Sequence, residues 1–218
     1  MSLKLYGYWR SSASYRVRIA LNLKQLEYEY VPVHLVKDGG QQFQGEYLGL
    51  NPASLVPTLV DDDEDIILNQ SLAIIEYLDE KYDQGIQLVP THKLERAKVR
   101  TVAQDIACDI QPLGNLRVMN YIGQQYNLTQ QQKSDWAQHW IGKGLRSVEQ
   151  RLQNTAADFC FGFNITLADV CLVPQVYNAL RLGMDISVYP AINRVYHNCM
   201  EQLAFEHAQP ENQDDAEL

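Results

Sequence analysis

Apolar and polar positions near the start of the chain follow two different periods. Short apolar runs at Leu3 to Tyr6 and at Tyr28 to Leu35 predict two strands. Between them, a helix over residues 13–24 is predicted by the spacing of Val17, Ala20, Leu21 and Leu23. A strand, a helix and a strand in so few residues form a β-α-β unit, whose strands are parallel and whose connection is right-handed.

The next apolar segments predict a hairpin and a second helix. Residues 56–60 and 66–68 are apolar runs on either side of an acidic turn, residues 61–65. Ser71 opens a helix to about Tyr82, with apolar side chains on one face and acidic ones outside. The order β-α-β, irregular segment, β-β-α predicts a thioredoxin-like α/β domain.

From Pro90 onward the pattern changes to helical spacing alone. It predicts one long helix over residues 94–113 and another over residues 135–152. We therefore expect a thioredoxin-like domain at residues 1–83 and an all-helical bundle domain at residues 90–218. The fold class is α/β followed by all-α.

Two local features lie in the helical half. Thr166 and Asp169 have the spacing of a capping box, which favours a folding role for Asp169 over a catalytic one. The acidic and polar composition of residues 211–218 predicts a frayed end.

Charge narrows the choice of partners. The chain has 18 basic and 27 acidic residues and a net charge of -9, which argues against nucleic-acid binding because phosphates need a basic face. An anionic substrate must therefore meet locally concentrated arginines. No apolar run approaches the roughly 20 residues that cross a bilayer, and the opening residues lack a secretory core. We expect a cytoplasmic protein without membrane contact.

The four cysteines predict neither a disulfide framework nor a metal site. Cys108, Cys160, Cys171 and Cys199 are widely spaced and form no C-x-x-C pair. We interpret them as buried, reduced thiols packed among helices.

The first candidate for chemistry is Arg10-Ser11-Ser12, where a strand ends and a helix begins. Free N–H groups and the helix dipole favour an anion there, although one serine could simply be the N-cap. Alternatively, a serine hydroxyl donates to a ligand thiolate. Lowering a thiol pKa of about 8.5 by about two units corresponds to roughly 2.7 kcal/mol. Tyr6 and Tyr8 are rival donors, which we rank below Ser11 as packing residues.

Two more segments could complete a binding edge. A cis bond between Val56 and Pro57 would free main-chain groups of Val56 for a peptide, whereas a trans bond indicates an ordinary edge-strand proline. Gln70-Ser71 is a second helix start, able to hold a carboxylate or to act as a plain N-cap. The three segments fall on one edge of the predicted sheet. They offer contacts for a thiolate, a peptide backbone and a carboxylate, all of which glutathione carries.

Longer segments of the chain form a specific set. They are residues 10–21 (RSSASYRVRIAL), 37–43 (KDGGQQF), 50–52 (LNP), 56–59 (VPTL), 70–78 (QSLAIIEYL), 110–116 (IQPLGNL) and 168–176 (ADVCLVPQV). Together they resemble the zeta class of glutathione transferases, also known as maleylacetoacetate isomerases, over nearly the whole chain. The double serine with RVRIAL and the later LVPQV point to this class, whereas the other pairs match many glutathione transferases.

The resemblance implies a glutathione transferase fold with glutathione as its cofactor. Ser11, with Ser12 beside it, would supply the catalytic hydroxyl. The turn around the ligand cysteine would comprise Ser11, Ser12, Ala13, Ser14, Tyr15 and Arg16. The rest of the glutathione would be held by Gln42 at its glycyl end, by Val56 at its cysteinyl backbone, and by Gln70 and Ser71 at its γ-glutamyl group. The helical domain would close the site with Gln111, Asn115, Leu116 and Arg117.

The implied reaction is the cis-trans isomerisation of maleylacetoacetate to fumarylacetoacetate, a step of tyrosine and phenylalanine catabolism. The substrate is a small cis keto-diacid. Arg181 matches the residue proposed in the family to bind its carboxylate, and Arg10 is a second candidate; a solvated surface ion pair is the alternative for each. No metal is implied. Family members are homodimers, which implies a homodimer here.

Other functions remain open at this point. Maleylpyruvate isomerisation and chemistry on α-haloacids would use the same site, and a non-catalytic interaction module is an alternative of a different class. A disulfide oxidoreductase is disfavoured because the first turn contains no cysteine. Ala13 stands where the family pattern Ser-Ser-Cys has its cysteine, so that position lacks a thiol. The turn at residues 61–65 is longer and more acidic than the family's, which affects an edge of the sheet.

Overall fold

The strands and helices predicted for the first half are present in the computed structural model, which describes residues 2–217. In chain order they are β1 (Leu3–Gly7), α1 (Ser12–Leu23), β2 (Glu29–Pro32), α2 (Gly45–Leu50), β3 (Thr58–Asp61), β4 (Ile66–Asn69) and α3 (Ser71–Lys81). The helix α2 and two preceding 3₁₀ turns, Lys37–Gly39 and Gln41–Phe43, lie in the segment that the sequence left irregular.

The four strands form one mixed sheet in the order β2-β1-β3-β4. β1 and β2 are parallel, as the β-α-β unit requires, and β3 is antiparallel to both β1 and β4. Leu59 of β3 lies opposite Leu5 of β1 and Leu68 of β4. Leu5 and Leu59 are fully buried, so the strand period places one apolar row in the core of this unit.

The helices α1 and α3 pack against each other in the same unit. Fully buried side chains on them include Val17, Ala20, Leu21, Ile74, Ile75 and Leu78. Burying each leucine or isoleucine side chain contributes roughly 1.5–3 kcal/mol relative to exposure. The helical spacing in the sequence therefore marks the faces that enter the core.

The second unit is helical. Its helices are α4 (Lys93–Gln104), α5 (Leu116–Gln125), α6 (Gln130–Leu152), α7 (Leu167–Arg181) and α8 (Pro190–Met200). The long helix predicted over residues 94–113 continues beyond α4 as a π-helical stretch and then a 3₁₀ turn, Asp105–Ile110 and Gln111–Gly114. Stretches of π-helix are rare and occur often at functional sites.

Two buried carboxylates satisfy donors at helix starts in this unit. Asp169 completes the predicted capping box, because its Oδ2 accepts the N–H of Thr166 at 2.8 Å and Thr166 caps α7. Burial raises the pKa of Asp169, although hydrogen bonds from Cys160 and Thr166 act against this rise. Glu149 of α6 accepts two N–H groups at the start of α8, both at 3.0 Å. Such donors have no partner inside their own helix.

The chain divides into two units at a point inside the predicted boundary. The first unit comprises residues up to Leu88 together with those from Gln202 onward, and the second runs from Val89 to Glu201. The sequence placed all residues of 90–218 in the helical domain. In the structure the tail from Gln202 instead groups with the sheet-containing unit.

The tail has regular structure and long-range contacts. It contains α9 (Leu203–His207), which packs on α1, and a 3₁₀ turn at Pro210–Asn212. Asp215 accepts a hydrogen bond from the main-chain N–H of Trp9 at 3.0 Å. The prediction of a frayed end is therefore wrong for residues 211–217, because its polar side chains find partners that are remote in sequence.

The cysteines are reduced, and three of them, Cys160, Cys171 and Cys199, are buried as expected. Burial raises the pKa of the Cys160 and Cys199 thiols. The prediction was wrong for Cys108, which is exposed because it lies on the solvent side of the π-helical stretch, next to the exposed Asp109. Within residues 2–217, no group of three potential ligands could hold a metal ion. None of the helices described is both long and apolar enough to span a membrane.

Candidate functional site

Four segments leave the sheet of the first unit at the same end. β1 runs toward Gly7, which pairs with Pro32 at the end of the parallel strand β2. β3 begins at Thr58, which lies opposite Tyr6 of β1 and Asn69 at the end of β4. The segments at this end are residues 8–11, 33–43, 54–57 and 70–71, which we call the site loops. They contain the candidate residues Arg10, Ser11, Gln42, Val56, Gln70 and Ser71, and Ser12 adjoins the first of them.

Ser11 caps α1 and retains a donor for a ligand. Its Oγ accepts the N–H of Ser14 at 3.3 Å, and its carbonyl accepts the N–H of Tyr15 at 2.8 Å. A hydroxyl has two acceptor lone pairs and one donor, so capping leaves the O–H free to donate. The side chain is half-buried. The N-cap role and the thiolate-donor role, which the sequence presented as alternatives, are therefore compatible.

In the rest of the first turn of α1, main-chain groups are more available to a ligand than side chains are. Ser12 is buried, Ala13 is half-buried, and Ser14 is fully buried. Tyr15 and Arg16 are each only 1% exposed, so their side chains belong to the interior of the unit. An anion at this turn would meet main-chain N–H groups and the positive end of the helix dipole rather than the Tyr15 or Arg16 side chains.

A buried hydrogen bond links α1 to the start of α3. Arg16 Nη1 donates to Ser71 Oγ at 3.3 Å, and both side chains are buried. Gln70, the preceding residue, is exposed, has a φ of 74° and makes no capping hydrogen bond with its side chain. The start of α3 therefore combines a helix dipole, a nearby guanidinium and an amide side chain, which suits a carboxylate.

Val56 offers a main-chain edge. The Val56–Pro57 peptide bond is cis. The carbonyl of the preceding residue, Leu55, accepts hydrogen bonds from Tyr47 Oη at 2.5 Å and Asn51 Nδ2 at 2.7 Å. Val56 itself is half-buried, and its N–H and carbonyl have no hydrogen-bond partner among residues 2–217. An extended peptide could therefore pair with it as with an edge strand.

Gln42 is an unexpectedly buried polar residue in the second site loop. It is 5% exposed, and its Nε2 donates to the carbonyl of Leu35 at 3.2 Å. Its Oε1 is buried without a hydrogen-bond partner among the residues that the structure describes. Gly40 has a φ of 101°, and a Cβ there would lie 2.6 Å from Gln42 Nε2. A glycine is thus required beside an acceptor that is available to a ligand N–H.

The rival donors Tyr6 and Tyr8 lie in β1 and in the first site loop, and the nearer arginine, Arg10, lies in the same loop as Tyr8. Tyr8 is buried, with its ring edge on His34 at 5.0 Å, and Tyr6 packs against Tyr47 at 6.2 Å, as packing residues do. Arg10 is exposed, and its guanidinium lies 5.2 Å from the centre of the Trp9 ring. This stacking leaves the N–H fork of Arg10 at the surface beside Ser11.

The remaining candidates lie in the second unit. Asn115 caps α5 by accepting the N–H of Val118 at 3.0 Å, and Leu116 and Arg117 are exposed in the first turn of that helix. Gln111 opens the 3₁₀ turn that follows the π-helical stretch. The structure thus places these candidates together at the junction between α4 and α5.

Arg181 is the last residue of α7 and is exposed. Two different side chains of α6 hold the end of α7 and the junction between α4 and α5. Gln138 donates to the carbonyl of Leu182, which follows Arg181, at 2.8 Å, and Trp136 donates to the carbonyl of Leu113 at 2.8 Å.

Sequence reasoning missed two features of the site loops. It placed Arg16 in the ligand-binding turn without foreseeing that its buried guanidinium donates to Ser71. It also missed the dependence of Gln42 on Gly40, although the pair Gly39-Gly40 followed by two glutamines was a usable signal. A positive φ cannot be distinguished from an ordinary loop glycine by sequence alone.

Known proteins resemble this chain over nearly its whole length. Residues 5–85 match the family model described as glutathione S-transferase, N-terminal domain. A probable maleylacetoacetate isomerase of Vibrio cholerae is 50% identical over 216 residues, which cover 99% of each chain. A maleyl pyruvate isomerase structure has a TM-score of 0.92 at 39% identity, covering 98% of this chain and 100% of that one. The maleylacetoacetate isomerase of Methylobacterium extorquens AM1, with malonate and glutathione bound, has a TM-score of 0.92 at 37% identity, covering 99% and 100%.

Proposed function

The chain belongs to the zeta class of glutathione transferases, the maleylacetoacetate isomerase family, and we propose that it isomerises maleylacetoacetate to fumarylacetoacetate with glutathione as cofactor. The observation that carries the proposal is the convergence of the four site loops at one end of the sheet. They supply a capping hydroxyl, an unpaired main chain, a buried acceptor and a second helix start. In that order, these groups match the thiol, the peptide backbone, the glycyl end and the γ-glutamyl end of glutathione.

The residues present fit glutathione. Gln42 Oε1 is a buried acceptor without a partner in the described chain, which suits an amide N–H of the ligand's glycyl end. The unpaired main chain of Val56 suits the cysteinyl backbone. Gln70 and Ser71 at the start of α3 would hold the γ-glutamyl carboxylate, with Arg16 adding positive charge through its hydrogen bond to Ser71.

Ser11 would stabilise the thiolate. Its O–H would donate to the sulfur while its lone pair keeps Ser14 N–H, and the dipole of α1 would favour the negative charge. Glutathione would supply the sulfur nucleophile that adds reversibly to the cis double bond, so that this bond can rotate before the sulfur leaves again. Ala13 provides no thiol of its own. In this chain the hydroxyl and the helix start carry the stabilisation.

Arginines would hold the substrate carboxylates while the carbon chain rotates. Arg10 lies in the first site loop, next to Ser11, and its fork is exposed. Arg181 ends α7 and is exposed in the second unit. A planar guanidinium pairs with a carboxylate through two hydrogen bonds, so either residue is suited to a diacid. The roles of Gln111 and of Asn115 to Arg117 stay predictions from the family resemblance.

Maleylpyruvate is the second candidate substrate. The observation that favours it is the TM-score of 0.92 to a maleyl pyruvate isomerase, equal to the score for a maleylacetoacetate isomerase. Both substrates are cis keto-diacids and would use the same thiolate and arginines. Zeta-class chemistry on α-haloacids requires the same thiolate, and an interaction module would require none of these residues.

A paired assay tests the proposal. The purified protein is given each cis diacid, with and without glutathione, and formation of the trans product is followed by chromatography. We expect glutathione-dependent turnover, faster on maleylacetoacetate. Turnover on maleylpyruvate alone would reassign the substrate, and turnover on neither would favour haloacids or an interaction module.

We further propose that the protein is a homodimer in the cytoplasm and acts in tyrosine and phenylalanine catabolism. Light scattering on the purified protein tests the first point, because a dimer has twice the mass of 25.0 kDa that the chain has alone. Fractionation of the source cells tests the second. Growth on tyrosine after deletion of the gene tests the third.

A further inference from the structure

Asp215 in the tail contacts the segment that leads from β1 into α1. Its Oδ2 accepts the main-chain N–H of Trp9 at 3.0 Å and the hydroxyl of Tyr30 at 3.3 Å. Trp9 lies two residues before Ser11, whose own N–H donates to the carbonyl of Tyr8 at 3.0 Å. Asp215 therefore fixes the peptide unit between Tyr8 and Trp9, two residues before the candidate hydroxyl of Ser11.

Arg18 holds the other side of the same residue. Its Nη2 donates to the carbonyl of Trp9 at 2.9 Å, and its Nε donates to the carbonyl of Ala208 in the tail at 3.1 Å. Arg18 is fully buried, with the ring of Tyr30 5.9 Å from its guanidinium. A buried guanidinium needs an anion nearby, and Asp215 interacts with it electrostatically. Both polar main-chain groups of Trp9 are thus tied to the tail, one directly and one through Arg18.

A second tail carboxylate holds the site loop that contains Gln42. Glu217 forms an ion pair with Lys37 and lies 3.4 Å from Nε2 of His34. His34 Nδ1 accepts the N–H groups of Val36 at 3.2 Å and Lys37 at 2.8 Å, so this ring organises the turn. The tail therefore contacts two of the four site loops, each time through a carboxylate.

We infer that Asp215 is a positioning residue for the thiolate site, and that Glu217 supports the neighbouring loop in the same way. A hydroxyl that stabilises a thiolate must be held within a few tenths of an ångström of its productive position. Trp9 and Arg10 belong to no helix or strand, so hydrogen bonds from Asp215 and Arg18 supply the rigidity that secondary structure does not. The inference rests on the proposed function, because it takes glutathione as the ligand. The rigidity of the loop before Ser11 can be measured without any ligand.

Asp214 provides a matched control. It is adjacent, carries the same charge, and is exposed, and no hydrogen bond or ion pair joins it to another residue between 2 and 217. Asp215→Ala and Asp214→Ala therefore change the net charge equally, but only Asp215→Ala removes the contacts with Trp9, Tyr30 and Arg18. Asp215→Asn retains an acceptor for Trp9 N–H without the charge.

Calorimetric titration with glutathione and with S-methylglutathione measures the effect on binding. We expect Asp215→Ala to raise the Kd for glutathione about tenfold, the factor that a hydrogen bond to a charged group typically represents. The Kd for S-methylglutathione, which has no ionisable thiol, should change less than about threefold, because its sulfur makes no charged hydrogen bond. Asp214→Ala should leave both values unchanged, and Asp215→Asn should recover most of the glutathione affinity.

Hydrogen exchange of the amides in residues 8–11 measures positioning directly. We expect faster exchange in Asp215→Ala, confined to this loop, and no change in Asp214→Ala. If Asp215→Ala does not fold, Tyr30→Phe replaces it, because it removes one of the two hydrogen bonds to Asp215 and should give the same loop-specific change at smaller amplitude. Equal exchange and equal Kd values in the Asp215 and Asp214 variants would overturn the inference. Absence of glutathione binding by the unmodified protein would instead refute the proposed function.

Discussion

Replacing Ser11 by alanine removes two interactions that the structure separates. The first is the N-cap, in which Oγ accepts Ser14 N–H at 3.3 Å. Its loss should cost about 1 kcal/mol of the free energy of unfolding. The second is the hydrogen bond from the hydroxyl to the ligand thiolate, which is worth about 1.5–3 kcal/mol because its acceptor is charged. At 1.36 kcal/mol per unit, that loss should raise the pKa of bound glutathione by about one to two units.

The assay is a pH titration of the thiolate absorbance of glutathione bound to each variant. Ser11→Thr keeps both the cap and the donor and should titrate like the unmodified protein. Ser11→Asp keeps the cap but adds a negative charge, so its bound thiol should have the highest pKa of the series. Thr129→Ala, which removes the cap of α6 in the other unit, should lower stability without changing the thiol pKa. An unshifted titration in Ser11→Ala would refute the reasoning and move the role to Ser12 or a tyrosine.

Three further predictions follow from other contacts. Gly40→Ala should raise the Kd for glutathione about tenfold, because its Cβ would displace Gln42. Gly39→Ala also has a positive φ, but its Cβ would meet open space, so it should cost only stability. Arg181→Ala should raise the KM for diacids sharply and leave the Kd for glutathione nearly intact; unchanged kinetics would remove it from the site. Burial acts to raise the pKa of Asp61, but hydrogen bonds and the charge of its ion-pair partner in α3 hold it below the usual 3.8. Its stabilising contribution is therefore present above that value and is lost as the pH falls through the lower, folded-state pKa. Asp61→Asn should lower the free energy of unfolding by about 2 kcal/mol at pH 7 and should weaken its fall at acid pH, both measured by urea unfolding. The same dependence of stability on pH in both proteins would contradict this expectation.

The local elements of the first unit could be predicted because each depends on a short-range pattern. The helix expected over residues 13–24 is observed at Ser12–Leu23, and the hairpin strands begin or end within two residues of their predicted limits. The capping box at Thr166 depends on residues three positions apart and was equally visible. The site loops followed from the strand order, since parallel and antiparallel pairing fixes which strand ends meet.

Contacts between remote residues could not be predicted in the same way. Glu149 looks like an ordinary helix-surface glutamate in sequence, yet it is 6% exposed and satisfies the start of α8. Gln42 looks like a loop side chain, yet it is buried. Cys108 looks apolar, yet it is exposed. In each case burial depends on which element lies opposite, and no local period encodes that.

The sequence by itself determined the α/β and helical halves, the serine at the start of α1 and the resemblance to the zeta class. Only the tertiary structure decided that the Ser11 hydroxyl can cap a helix and still donate, and that the acidic tail returns to the first unit. Asp215 and Trp9 are 206 positions apart, so their hydrogen bond depends on where α9 packs and not on any local pattern. Periodicity is a property of neighbours along the chain, whereas the rigidity of a loop is a property of neighbours in space.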